Sequence, residues 1–161
     1  MYLKEKQTEH RIRRILSSDL RRAATTAELI SSGLGLPVHP DPRLRETNNG
    51  DLAGMANEIA LERYPGLFFS SLGMDEAYPN GESPRDFFRR VRNWFEDFRS
   101  AARPEDGNTL AVTHGGVINV VYHLALDIPW SNRSPAFPCD HASLHALDLD
   151  RMEFAKKNLV P

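Results

Sequence analysis

The sequence contains a single cysteine, Cys139, and no apolar run long enough to cross a membrane. One cysteine excludes a framework of internal disulfides and favours a reducing compartment, so the cytoplasm is the expected location. A membrane-spanning helix needs about 20 mostly apolar residues, and the segment Met1 to Lys6 has no apolar run of the signal-peptide type. The sequence therefore predicts neither membrane insertion nor secretion.

The chain also lacks an excess of charge of either sign. It has 20 Lys and Arg against 22 Asp and Glu, a formal charge of −2, so no overall field draws it to nucleic acid or to an anionic membrane. With 40% apolar and 26% charged residues it has the composition of a globular protein. A length of 161 residues predicts one domain over residues 1–161.

Two stretches have the pattern of a strand, a turn and a helix in succession. The first begins with the apolar residues Ile12 to Leu16 and continues into a helical pattern that ends near Gly33. The second begins with Thr109 to Thr113 and continues, after a glycine-rich turn, into the apolar helix Val117 to Leu126. Such units are typical of a parallel sheet.

Three further elements complete the prediction. A modest helix is expected over Met55 to Tyr64, and a clear one begins at Ser83 with Pro84 in its first turn. An aromatic stripe on this second helix is core, and its opposite face is rich in arginine. Alternation from Ala142 to Asp150 predicts a final strand. We therefore expect an α/β fold of three layers, with a mainly parallel sheet and helices on both faces.

Ligands of open α/β sheets bind outside the carboxyl ends of the strands, where helix N-termini attract anions. Ser17-Ser18 and His114-Gly115-Gly116 both follow predicted strands. Arg22 lies in the first turns of a helix, where a cation opposes the helix dipole, so a nearby anion would explain it. Arg22 could otherwise be a solvated charge, and His114 a core histidine. As a functional residue, His114 could donate to a phosphoryl oxygen or act as a nucleophile.

Four segments, taken together in this order and spacing, form a familiar pattern. They are Ser17 to Glu28, Leu44-Arg45-Glu46 with Gly50 and Gly54, Gly81-Glu82-Ser83, and Val112 to Val117. The pattern covers most of the chain and resembles the histidine phosphatase superfamily, also called the phosphoglycerate mutase-like family. The resemblance implies a phosphoglycerate mutase-like fold and phosphoryl transfer without metal or other cofactor.

The resemblance also implies roles for three catalytic residues. Arg22 matches an arginine that clamps the phosphate, for which a planar guanidinium is well suited. His114 matches the second active-site histidine, which holds the transferring phosphoryl group. Glu46 matches the acidic residue that protonates the leaving alcohol, although Glu46 could also be a plain loop carboxylate.

Further residues are candidates for substrate binding. Ser18 and Gly115 flank the predicted phosphate position by resemblance, beside Arg22 and His114. For Glu82, a contact at the helix start is as good an explanation as function. His141, in Asp140-His141-Ala142-Ser143, stands near a position where the family commonly has asparagine, so it either faces the site or replaces a structural amide.

One family motif is missing from this sequence. The family begins with a strand that ends in Arg-His-Gly, whose histidine becomes phosphorylated, and no Arg-His-Gly occurs here. The 16 residues before Ser17 are too few for that strand and its helix, so the first strand and part of the first helix are expected to be missing. His10, the one upstream histidine, precedes the strand at Ile12 and is interpreted as a surface helix residue.

Four explanations of the gap stay open: a sequence that starts late, a natural truncation, a binding-only relative, or a second copy of the chain that covers the missing strand. The neighbours of that strand would expose unpaired backbone groups and apolar surface. We therefore expect a rearranged sheet, an unpaired edge or a partner chain.

The leading hypothesis is a phosphatase that acts on a small phosphorylated metabolite through a phosphohistidine. The partner is then a phosphorylated substrate or inorganic phosphate, with no nucleic acid and no membrane. A catalytically inactive phosphate-binding or interaction module and a phosphoglycerate mutase are the alternatives, and a nucleophilic His114 ranks last. A zinc site of Cys139, His141 and His145 is also conceivable, but its spacing matches no strong zinc motif.

Overall fold

The computed structural model describes residues 2–160. The elements in chain order are α1 Tyr2–Glu5, α2 Gln7–His10, β1 Ile12–Ser17, α3 Arg21–Leu34, β2 Val38–Pro40, α4 Asn57–Arg63, α5 Pro84–Ala101, β3 Asn108–Val112, α6 Gly115–Ala125, β4 Leu144–Asp148 and β5 Glu153–Leu159. Short 3₁₀ turns cover Pro42–Leu44, Gly50–Leu52 and Pro104–Asp106. No helix within residues 2–160 has the length and apolar content that crossing a membrane requires.

A parallel sheet forms the middle layer, with the strand order β2-β1-β3. Both strand, turn and helix units predicted from the sequence are present as β1–α3 and β3–α6. On one face, α3 and Leu3 of α1 pack on β1 through a cluster that includes Ile15 and Ala27. On the other face, α5 and α6 pack through a second cluster that includes Phe87 and Val120. The predicted α/β layering is confirmed.

The α5 helix shows how the sequence specifies this packing. Ser83 caps its N-terminus, since the Ser83 hydroxyl accepts a hydrogen bond from the Asp86 amide, and Pro84 occupies the first turn. Phe87, Val91 and Phe95 recur at helical spacing and are buried. Burying one such side chain contributes about 1.5–3 kcal/mol, so this stripe fixes the face that α5 presents to the sheet.

The chain after residue 140 departs from the sequence prediction. The final strand is shorter than expected, since β4 spans Leu144–Asp148, and it pairs antiparallel with β5 rather than joining the parallel sheet. The connecting turn is stabilised by Asp148 Oδ1, which accepts the amides of Asp150 and Arg151 at 3.0 Å each. The β5 strand was not predicted, because its charged residues obscure the alternation.

Among the described residues, β3 hydrogen-bonds to a strand on one side only, and so does β4. Ile15 at the centre of the sheet is completely buried, whereas Leu110, Ala111 and Val112 of β3 are half-buried. The sheet therefore has an unpaired edge at β3, one of the outcomes expected if a strand is missing. That a family strand belongs at this edge stays a prediction.

Candidate active site

Ser18 and His114 form the centre of the candidate site. Ser18 follows β1, and His114 comes shortly after β3. Because β1 and β3 are parallel neighbours with Ser17 opposite Val112, the two residues meet at the carboxyl ends of these strands. His114 Nε2 lies 2.8 Å from Ser18 Oγ, and both side chains are buried. Ser18 Oγ also accepts the Leu20 amide at 3.2 Å. The pair is thus held by backbone that the sheet makes rigid.

The surroundings of His114 favour the neutral imidazole. Burial lowers the pKa of His114 below its ordinary value, and the nearby charge of Arg22 lowers it further. Glu46 partly offsets this effect by raising the pKa, and Arg90 adds to the lowering. The free protein therefore holds an uncharged His114 near neutral pH, within electrostatic reach of Arg22 and Glu46.

Glu46 lies at the N-terminus of α6. Its Oε2 accepts the Gly116 amide at 3.1 Å and its Oε1 accepts the Thr47 amide at 3.1 Å. A Cβ on Gly116 would lie 2.2 Å from Glu46 Oε1, whereas a Cβ on Gly115 would meet only Cys139 Sγ, at 4.0 Å. Gly116 is therefore the glycine that the carboxylate requires, and Gly115 is not sterically required.

Arg22 is exposed in the first turn of α3. This helix has no acidic residue in its first turn, and its N-cap residue Leu20 offers no side-chain cap. Arg21, Arg22 and Thr25 line an open surface depression together with Leu20. Positive charge at the positive end of a helix is unfavourable by itself, so this arrangement is suited to an anion.

Arg90 of α5 holds the loop that carries Glu46. Its Nη1 donates to the Arg45 carbonyl at 2.9 Å, and its Nη2 donates to the Glu46 carbonyl at 3.4 Å and to Glu82 Oε1 at 2.6 Å. Glu82 Oε1 in turn accepts the Asn48 amide at 2.8 Å. The structure thus places the Glu82 carboxylate on Arg90 and the loop backbone. Sequence reasoning missed Arg90, because no pattern distinguishes it from the other arginines of α5.

His141 is exposed in the turn before β4. The neighbouring His145 uses both ring nitrogens: Nδ1 lies 2.8 Å from Tyr122 Oη and Nε2 lies 3.1 Å from Ser143 Oγ. Burial raises the pKa of the Cys139 thiol, which disfavours the thiolate that zinc needs. Residues 2–160 contain no cluster of three potential metal ligands among their His, Cys, Asp and Glu side chains.

A cavity of about 410 Å³ opens beside Glu46 and Gly116. Its walls include four aromatic side chains drawn from three regions of the chain: Phe69, Tyr78, Phe87 and Trp130. Asn119 and His123 of α6 line it as well. Sequence analysis did not single out Trp130, Asn119 or His123, because no local pattern shows that they meet.

The sequence family model of the histidine phosphatase superfamily (branch 1) matches residues 2–160. The chain belongs to this superfamily. It is 35% identical over 121 residues to phosphoglycerate mutase-like protein 4 of Arabidopsis thaliana. It is also 35% identical over 120 residues to a protein of Hydrogenobacter thermophilus whose name assigns it provisionally as a phosphoserine phosphatase. These matches cover 73% of this chain in each case, but only 52% and 58% of the relatives. The chain thus spans little more than half the length of these relatives.

Two solved structures of another superfamily member are also similar to this chain. Mycobacterial glucosyl-3-phosphoglycerate phosphatase with inorganic phosphate superposes with a TM-score of 0.74 at 27% identity, covering 97% of this chain and 81% of that chain. The same enzyme with VO3 gives a TM-score of 0.64 at 31% identity, covering 80% and 65%. That mycobacterial enzyme was thus solved in complex with inorganic phosphate and with VO3.

The sequence contains no Arg-His-Gly, and His10 is its one histidine before β1. His10 ends α2 and comes just before the amino end of β1, whereas Ser18 and His114 follow carboxyl ends. The His10 carbonyl accepts Asn108 Nδ2 at 2.7 Å, at the start of β3. His10 therefore lies at the opposite end of the strands from His114, and its side chain is half-buried rather than fully on the surface.

Proposed function

We propose that this chain carries the phosphate-binding residues and the general acid of a phosphatase that acts on a small phosphorylated metabolite. The observation that supports this most is the meeting of a buried, neutral His114 with Ser18 at the N-terminus of α6, near the charge of Arg22. Neutral imidazole, guanidinium and a helix N-terminus are all favourable neighbours of a phosphate. Glu46 stands beside them as the acid.

Each residue has a defined task in the proposed reaction. Arg22 binds phosphoryl oxygens through its paired donors, and His114 donates a hydrogen bond to the same group. A nucleophilic imidazole nitrogen forms a bond to phosphorus while the bond from phosphorus to the leaving oxygen breaks. Glu46 gives its proton to that oxygen, and its carboxylate then takes a proton from the water that hydrolyses the phosphohistidine.

The nucleophile in this proposal comes from a segment outside the 161 residues. The unpaired edge of β3 next to the site supports a strand at that position, supplied by further sequence or by a second copy of the chain. Sedimentation at several protein concentrations tests the second copy: a monomer at all concentrations contradicts it. The single cysteine supports a reducing compartment, so we propose that the chain works in the cytoplasm.

A second candidate is a binding module without turnover. It is favoured by the position of His10, because no histidine other than His114 lies at the carboxyl ends of β1 and β3 among the described residues. A phosphoglycerate mutase-type reaction is the third candidate, supported by the names of some relatives. All three share the same phosphate site.

The deciding experiment measures binding and turnover on the same protein. Inorganic phosphate and vanadate are titrated by calorimetry, and hydrolysis of phenyl phosphate is followed with chelator present. We expect Arg22→Ala and His114→Ala to weaken phosphate binding at least about tenfold, since each removes a charge-assisted or buried hydrogen bond. Arg21→Ala, the adjacent exposed arginine, is the matched control and is expected to have a much smaller effect.

The outcomes separate the candidates. Binding without turnover favours the binding module, or a nucleophile that must be supplied from outside. Turnover that survives chelator and disappears in His114→Ala supports a complete site. If folded protein binds neither phosphate nor vanadate, or if Arg21→Ala and Arg22→Ala are equally damaging, the proposed phosphate site is wrong.

A further inference from the structure

The cavity beside Glu46 indicates the kind of alcohol that the phosphate is attached to. Its walls include Glu46, the acid of the proposed reaction, and Gly116, whose amide binds that carboxylate. Glu46 also interacts electrostatically with His114, so the cavity begins beside the proposed phosphate site. A volume of about 410 Å³ is in the ordinary range for small-molecule pockets. The group that fills this cavity would be the part of the substrate that leaves with the oxygen protonated by Glu46.

The walls of the cavity are aromatic and mutually supported. Phe69 contacts Phe87 edge-on at 6.0 Å between ring centroids, and Trp130 lies 6.1 Å from Phe87. Trp130 is in turn stacked on Phe88 at 5.1 Å, with only 9° between the ring planes. Rings fixed in this way offer flat, apolar surface at little conformational cost, which suits a ring or another flat apolar group.

Apart from Glu46, the polar residues that line the cavity carry amide, hydroxyl and imidazole groups. His123 is buried, and its Nδ1 lies 2.8 Å from the Asn119 carbonyl, which can only accept, so Nδ1 carries a proton. In the tautomer with that single proton, His123 Nε2 is an acceptor, and it has no hydrogen-bond partner within the part of the chain that the structure describes. Asn119 is engaged, since its Oδ1 accepts the Phe137 amide at 2.6 Å. The cavity can thus accept a hydrogen bond from a hydroxyl or an amide.

Positive charge is missing from the walls. Among the described residues that line the cavity, Glu46 is the only one with a charged side chain. Arg90 of α5, which holds the Glu46 loop, is bound to Glu82 and to backbone carbonyls. Arg133 is adjacent to lining residues, but it is exposed and donates to the Ser70 carbonyl. A second anionic group on the substrate would therefore lie in a cavity whose lining residues supply no cation to pair it.

We propose that the site selects phosphate monoesters of neutral, ring-bearing alcohols and disfavours esters whose alcohol carries a carboxylate. This inference rests on the proposed function and narrows it. It separates this chain from the phosphoserine and phosphoglycerate chemistry in the names of its relatives.

The test compares 4-carbamoylphenyl phosphate with 4-carboxyphenyl phosphate, two esters of nearly equal shape that differ in charge. Their dissociation constants are measured by calorimetry, with inorganic phosphate as the reference. We expect the carbamoyl ester to bind at least about tenfold more tightly than the carboxy ester, and more tightly than phosphate. Equal binding, or a preference for the carboxy ester, overturns the proposal.

Variants assign the preference to the cavity. Trp130→Ala should reduce the affinity for the carbamoyl ester toward that for phosphate and leave phosphate binding unchanged. Phe68→Ala, an exposed aromatic outside the cavity, should change neither. Asn49→Arg adds a cation at the rim and should raise the affinity for the carboxy ester several-fold. An unchanged preference in both Trp130→Ala and Asn49→Arg would place the selectivity elsewhere.

Binding measurements also distinguish a failure of the proposed phosphate site from a failure of the proposed alcohol preference. If inorganic phosphate and both esters fail to bind, the proposed phosphate site is wrong. The cavity is then tested with the alcohols, 4-hydroxybenzamide and 4-hydroxybenzoate, by ligand-observed NMR. Binding of the amide with a dependence on Trp130 supports the neutral cavity without the phosphate site, and equal binding of both alcohols contradicts it.

Discussion

Gly115 and Gly116 are adjacent, begin the same helix and yet have opposite requirements. A Cβ on Gly116 would lie 2.2 Å from Glu46 Oε1 and 3.2 Å from Phe87 Cζ. A Cβ on Gly115 would lie 4.0 Å from Cys139 Sγ, an ordinary contact. Replacing each by alanine therefore tests the geometry of the acid with a control one residue away.

The expected energies differ in sign. In Gly116→Ala the Glu46 carboxylate must move by about 1 Å to restore an ordinary contact distance. It then loses the hydrogen bond from the Gly116 amide, worth about 1.5–3 kcal/mol for a charged acceptor. Alanine returns about 0.5–1 kcal/mol of helix propensity, so the net destabilisation is about 0.5–2.5 kcal/mol by these terms. Gly115→Ala keeps the propensity gain, and we expect it to be neutral or stabilising by up to about 0.5 kcal/mol.

Urea denaturation followed by tryptophan fluorescence measures both free energies of unfolding. A double-mutant cycle identifies the cause: in a Glu46→Ala background the clash partner is absent, so Gly116→Ala should lose most of its cost. The displaced carboxylate should also lower any turnover of phenyl phosphate by about 10²-fold, the effect of misplacing a reacting group by about 1 Å. Equal costs for the two alanine variants, or an undiminished cost of Gly116→Ala without Glu46, would refute the reasoning.

Three more predictions concern the residues around this site. Arg90→Lys removes the guanidinium that reaches the carbonyls of Arg43 and Arg45, and it should lower the free energy of unfolding by about 2–3 kcal/mol in urea denaturation. Arg89→Lys, in an exposed pair with Asp86, should lower it by less than about 0.5 kcal/mol. Equal losses in the two variants would contradict the positioning role of Arg90. Burial and Arg22 lower the pKa of His114, so between that lowered pKa and 6.5 the unfolded chain binds a proton more readily than the folded chain does. The free energy of unfolding should therefore rise with pH through this window, and His114→Gln should flatten the rise. A slope that the substitution leaves unchanged would contradict the lowered pKa of His114. An anion bound beside His114 raises the pKa of its imidazole, and sulfate keeps its charge over this pH range. Sulfate should therefore bind more tightly to the wild-type protein as the pH falls from 7.5 to 5.5, as measured by calorimetry. An affinity that does not depend on pH would show that His114 does not face the anion.

Local patterns in the sequence predicted the strands and helices that position the residues proposed to bind phosphate. An apolar run followed by Ser17-Ser18 specifies a strand and its turn, and the glycines after His114 specify another. Once two such strands are parallel neighbours, their ends meet, so Ser18 and His114 could be expected to lie together. The start of α5 followed equally from Ser83 and Pro84, and its buried face followed from the aromatic spacing.

Other contacts depend on residues far apart in the chain. Arg90 looks like a surface charge until α5 is packed against the loop at Arg45, 45 residues earlier. The antiparallel pairing of β4 with β5 arises from a turn at Asp148 and not from the weak alternation of either strand. Periodicity reports which face of an element is buried, but it does not report what covers that face.

The sequence by itself determined the layered α/β fold, because strand ends and helix starts are encoded locally. It also carried the superfamily resemblance, from which Arg22, Glu46 and His114 are predicted to be site residues. Only the tertiary structure decided that Gly116 rather than Gly115 accommodates the acid, that Glu82 binds Arg90, and that aromatic rings from separate segments enclose a cavity with no cation among its described walls. Those features depend on distances between atoms remote in the chain, which packing alone sets.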